Sequence, residues 1–133
     1  MIFGTMQLSI FVQTIIVGLA GSLGAVTRYL LGRIVAERVS SQIPFGTLLI
    51  NVTGAFTVGL LFALASRKLL SPALQTILAT GFLGGYTTFS TLCWEGTLLV
   101  RKGNMAQSFC YFASTFVLGL FAALLGIALG GRL

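Results

Sequence analysis

At 133 residues, with 56% hydrophobic and 8% charged side chains, the chain is too apolar for a water-soluble core. It has room for about four spanning helices of roughly 20 residues each, with no soluble domain in what remains. Its net charge of +6 does not imply nucleic acid, because the basic residues fall mostly at the ends of apolar runs, where they read as interface and topology charges.

The first span is predicted over about residues 8–31. It begins late and lacks an A-x-A cleavage pattern, so it is expected to stay in the mature protein. Gly18, Gly21, Gly24 and Ala25 give it a small-residue face suited to close helix contact. Arg28 closes the span, close enough to its end to snorkel to the headgroups, and a vestibule or structural role is its alternative. Residues 32–45 read as a polar loop with Arg33, Glu37 and Arg38, ending at Pro44.

The second span, about 46–66, carries Thr47, Asn51 and Gly54 on one face. An asparagine in a membrane helix is costly unless it finds partners. Asn51 therefore reads either as an interhelical hydrogen bond or as a pore or ligand group. Ser71-Pro72 is an N-cap followed by a proline at the first helical position, and opens a third span over about 73–100.

That third span contains GFLGGYTTFSTL at 81–92, around which the rest of the chain is organised. Gly81, Gly84 and Gly85 each weaken a helix by roughly 1 kcal/mol relative to alanine. The hydroxyls of Thr87, Thr88, Ser90 and Thr91 follow at once and can bond to freed backbone groups. Such a stretch either packs closely on a neighbouring helix or breaks to make an ion or ligand site, and the concentration of glycines, hydroxyls and an aromatic favours the break. Glu95, one turn after Thr91, is either buried and paired or set in a wet vestibule.

The fourth span, about 105–130, bears Tyr111, Thr115 and Gly119 in a stripe, and a GxxxG at Gly126 and Gly130. The chain has no histidine, no close cysteine pair and no paired carboxylates, so neither a metal centre of side chains nor acid–base catalysis has its parts. Cys93 and Cys110 read as small buried hydrophobes. An enzyme is not expected.

Four spans would put Arg67, Lys68 and Arg132 on one side, against Arg33, Arg38, Arg101 and Lys102 on the other, with Arg28 added if it snorkels. So even a distribution gives the positive-inside rule little to act on. Insertion in both orientations is expected, which permits an antiparallel dimer.

The segments GSLGAVTRY at 21–29, GTLLINVTGAF at 46–56 and GFLGGYTTFST at 81–91, in this order, resemble the Fluc (CrcB) family of small membrane fluoride channels. The likeness covers nearly the whole chain. It implies an all-α membrane protein with four transmembrane helices per subunit, the third broken at its centre, assembled as a dual-topology antiparallel homodimer in the cytoplasmic (inner) membrane. It further implies passive fluoride export that relieves fluoride toxicity, and a central structural sodium ion held by backbone carbonyls, here those of Gly84 and Thr87. Fluoride-pathway positions fall on Asn51, Phe89, Tyr111 and Thr115, the last standing for a family serine. Leu92 occupies the place of the family's second pore phenylalanine. The rival reading, a small multidrug-type transporter of dual topology, needs a carboxylate in the first span, which has none.

Overall fold

The computed structural model describes residues 2–133, with side chains from residue 9 onward. The first helix, α1 (Ile2–Arg38), is followed by α2 (Phe45–Ser66) and a short α3 (Pro72–Gln75). The last runs directly into a π-helical stretch, Thr76–Leu83, and one further turn, α4 (Gly84–Tyr86). After an interruption at Thr87 and Thr88 the chain resumes as α5 (Phe89–Arg101), then turns into α6 (Met105–Gly130). No strand occurs among the described residues.

Three of these helices are long and apolar enough to cross a membrane, at Ser9–Arg38, Phe45–Ser66 and Met105–Gly130. Large apolar side chains such as Phe11, Leu19, Phe62, Phe116 and Phe121 stand exposed along them. A surface of that kind suits lipid rather than water. The buried core is correspondingly thin and centres on Ile50, Leu61, Leu83 and Tyr86.

Lipid offers little hydrophobic drive for helix pairing, so close backbone approach must supply the contact. The most extensive packing joins α2 to α6. A Cβ on Gly59 would overlap Ala123 O, and one on Gly126 would overlap Phe56 O. The small face of α1 meets the π-helical stretch and α4 in the same way. There Gly24 lies against Phe82 O, and Gly85 against Gly21 O.

The structure departs from the sequence reading in three places. The helix that opens the chain continues to Arg38, through much of the segment expected as loop. Its exposed last turns hold an i,i+4 pair, Arg33 Nε to Glu37 Oε1 at 2.9 Å, and no proline intervenes before Pro44. The π-helical run had no signal in composition or periodicity. Cys110 is exposed and Cys93 half-buried, so neither is the fully buried small hydrophobe expected. The N-cap at Ser71 is present, its side chain accepting from Leu74 N at 3.3 Å.

Replacing Gly126 by valine drives a branched side chain into the backbone of α2, and should cost about 1–3 kcal/mol. Gly18→Ala, where nothing lies within 4 Å of the added carbon, should cost little. Melting temperatures of the two variants in detergent check the difference.

Candidate functional site

The site is built on the interruption between α4 and α5. Thr87 (φ −80°, ψ 158°) and Thr88 (φ −151°, ψ 120°) are extended, so the helical hydrogen-bond ladder stops there. In an apolar setting each freed group needs a partner. Asn51 of α2 supplies two: its Nδ2 donates to Thr88 O at 3.0 Å, and its Oδ1 accepts from Thr88 N at 2.9 Å. The side-chain amide thus pairs with the backbone as a neighbouring strand would. Thr88 also caps α5, its Oγ1 accepting from Thr91 N at 3.2 Å. Arg28 holds the other side of the break, Nε donating to Gly85 O at 3.0 Å.

Of the expected pathway residues, Asn51, Phe89, Leu92 and Thr115 line one open groove of about 590 Å³. Its wall is completed by Phe112, Phe116 and Leu120 of α6. Phe89 is 77% exposed, standing free on the surface of the single chain. Thr115 is buried, and its hydroxyl donates back to Tyr111 O at 2.8 Å, which leaves it an acceptor rather than a donor toward the groove. Asn51 has two amide hydrogens and uses one on Thr88, so the second remains to be given.

Tyr111 does not line this groove. It is 1% exposed, and its hydroxyl donates to Glu95 Oε2 at 2.7 Å. Thr47 Oγ1 donates to the other carboxylate oxygen at 3.0 Å. Glu95 also borders a second cavity, of about 640 Å³, lined by Arg28, Arg33, Thr47, Thr88 and Thr91 among others. Glu95 is thus paired as one sequence reading expected, but half-buried rather than buried, and it borders the cavity.

The carbonyl positions Gly84 and Thr87 border a smaller recess of about 310 Å³, together with Asn51, Gly54, Ala55 and Val58. Thr88 N, the i+4 donor that would close a helical bond on Gly84 O, goes to Asn51 instead. The extended conformation of Thr87 removes its carbonyl from the ladder as well. Space around Gly84 is open, with nothing within 4 Å of where a Cβ would stand.

Sequence reasoning missed Phe112 and Phe116. Their spacing with Thr115, Gly119 and Leu120 (i, i+3, i+4, i+7, i+8) carried the signal of a single helix face. It also passed over Thr47 as a partner of Glu95, a contact across 48 residues of chain that no local pattern announces.

A family model described as CrcB-like protein, Camphor Resistance (CrcB) matches residues 15–127. The chain is 43% identical over 118 residues to the fluoride-specific ion channel FluC of Acidobacterium capsulatum, covering 88% of this chain and 94% of the relative. It is 42% identical over 118 residues to the protein of that name from Aquifex aeolicus, covering 88% and 95%. Against the fluoride-specific ion channel FluC 1 of Listeria monocytogenes it is 43% identical over 119 residues, covering 90% and 98%.

Asn51→Ala would leave Thr88 N without a partner, at about 1–3 kcal/mol, and would remove a second bond from Thr88 O, which as the N-cap carbonyl of α5 still accepts from the first turn of that helix. Asn51→Asp keeps the acceptor for Thr88 N but sets a carboxylate oxygen against Thr88 O. Both variants should melt below the wild type in detergent, the alanine variant by an amount consistent with two lost bonds.

Proposed function

Because the chain belongs to the CrcB-like family, we propose that it is a fluoride channel, passing the ion down its gradient across a membrane and so lowering fluoride inside the cell. The family is one of ion channels and not of enzymes. The observation that carries the reading is the groove itself, where an asparagine amide with a hydrogen to spare stands among phenylalanine rings beside an interrupted helix.

Fluoride is small and strongly hydrated, so its path must replace water with donors. Asn51 offers an N–H. A phenyl ring carries a positive edge, and Phe89, Phe112 and Phe116 line the same groove. The rings on α6 offer edges where Leu92 has none. In the vestibule, where Arg33 is paired with Glu37 and Glu95 is also present, Arg28 is the cation that would attract an anion.

The groove is open on one side, and Phe89 projects from it. This supports assembly as a homodimer of antiparallel copies, with the interrupted segment 72–101 serving as the third of four spans. The evenly shared basic residues at the two ends of the helices support dual topology. The cytoplasmic membrane is the matching location.

A structural sodium ion fits the same centre. Gly84 O and Thr87 O are released from the helical ladder, and backbone carbonyls can replace the hydration shell of a monovalent cation. Two carbonyls from each copy would give it four oxygen ligands and hold the copies together. The multidrug-type reading lacks its embedded carboxylate, since the one acidic residue of α1, Glu37, lies exposed in the last turns of the helix and is paired with Arg33.

Liposomes loaded with potassium fluoride should release it on addition of the purified protein and a potassium ionophore. Phe89→Leu should slow that release up to about tenfold, as an edge contact of about 1.4 kcal/mol predicts, while Leu92→Phe is tolerated. No release by wild-type protein would refute the function, and equal rates for wild type and Phe89→Leu would make the ring edges dispensable.

Single cysteines placed in the 67–71 turn or at the C-terminus of a cysteine-free variant should react with impermeant reagent from both faces of the membrane. Labelling from one face only would rule out the antiparallel homodimer.

A further inference from the structure

Three consecutive residues at the interruption are held by α2. Thr88 is paired with Asn51, Thr87 lies where a Cβ on Gly54 would overlap its methyl group, and Tyr86 reaches Thr53. The Tyr86 hydroxyl is 2.8 Å from Thr53 Oγ1. That threonine oxygen also lies 2.7 Å from Leu49 O and 3.2 Å from Ile50 O. Its single hydrogen is therefore spent within α2, which makes Tyr86 the donor and Thr53 the acceptor.

Packing alone does not call for this hydroxyl. The Tyr86 ring is 8% exposed and stacks on Phe82 with centroids 5.9 Å apart and planes 14° from parallel. A phenylalanine would fill the same space. What the hydroxyl adds is an anchor for α4, a single turn of three residues that begins with two glycines and ends at the break. A turn so short fixes its own rotation poorly. Arg28 ties it to α1 through Gly85 O, and Tyr86 ties it to α2 on the adjacent residue.

We infer that the Tyr86–Thr53 hydrogen bond positions the Gly84 and Thr87 carbonyls for the central cation, which makes Tyr86 and Thr53 positioning residues for that ion. The inference rests on the sodium reading above. Gly84 lies two residues before the anchor and Thr87 one after it, so a small rotation of α4 displaces both oxygens together.

The test measures the sodium concentration that gives half-maximal protection of the purified dimer from a fixed heat challenge, with an organic cation replacing sodium at constant ionic strength. Tyr86→Phe should raise that concentration about fivefold, the factor that corresponds to one lost hydrogen bond of about 1 kcal/mol. Thr53→Val should raise it equally, Thr53→Ser should restore it, and the double variant should shift no further than either single one. A normal sodium midpoint in Tyr86→Phe overturns the inference and leaves the sodium reading standing. Additive shifts in the double variant overturn it too. A wild-type protein indifferent to sodium overturns both. If Tyr86→Phe does not fold, the Thr53 pair of variants decides the matter alone.

Discussion

A backbone interrupted in an apolar interior must find hydrogen-bond partners outside its own helix, and here the side chain of Asn51 provides them. Its amide gives one hydrogen to Thr88 O and takes one from Thr88 N. This exchange diverts the donor that Gly84 O would have received, keeps Thr87 and Thr88 extended, and leaves α5 to begin afresh under the Thr88 cap. The asparagine lines both the groove and the carbonyl recess. The residue that satisfies the broken backbone is therefore also the one that the proposed fluoride path would use.

The close approach of helices makes that pairing possible. Glycine at positions 21, 24, 81 and 85 brings α1 against the π-helical stretch and α4, and glycine at 59 and 126 brings α6 against α2. With α2 caught between them, Asn51, Thr53 and Gly54 meet Tyr86, Thr87 and Thr88 at contact distance. Bulkier residues would separate the helices, and the bonds across the break would lengthen past usefulness. Packing by small residues and satisfaction of the broken backbone are thus two parts of one arrangement.

Most hydroxyl groups bond either within their own helix or across to another segment, and Thr53 does both. Thr14, Ser22, Thr27, Thr57 and Thr115 donate to carbonyls four residues earlier in their own helices. Thr47, Ser108 and Tyr111 instead reach other segments, the first and last converging on Glu95. A half-buried carboxyl group costs less when two hydroxyls share it. Tyr111, aligned with Thr115 on the α6 stripe, serves the vestibule by holding Glu95, whereas Thr115 serves the groove wall.

The sequence by itself determined the class of molecule, because apolar runs longer than about 18 residues have no stable place in a small water-soluble protein. It also located the weak point of the third segment, since glycines and threonines act on their own backbone wherever they occur. Asn51 was legible as a residue that needs partners, and Gly126 with Gly130 as a packing face. Only the tertiary structure decided who those partners are. Asn51 meets Thr88 across 37 residues, and Thr47 meets Glu95 across 48; such pairings depend on helix rotation and crossing, which sequence periodicity leaves open. The same holds for Phe112 and Phe116, whose helical spacing was visible while the groove they face was not. Local chemistry is written in neighbouring residues, but a hydrogen-bond partner on another helix exists only once the helices are packed.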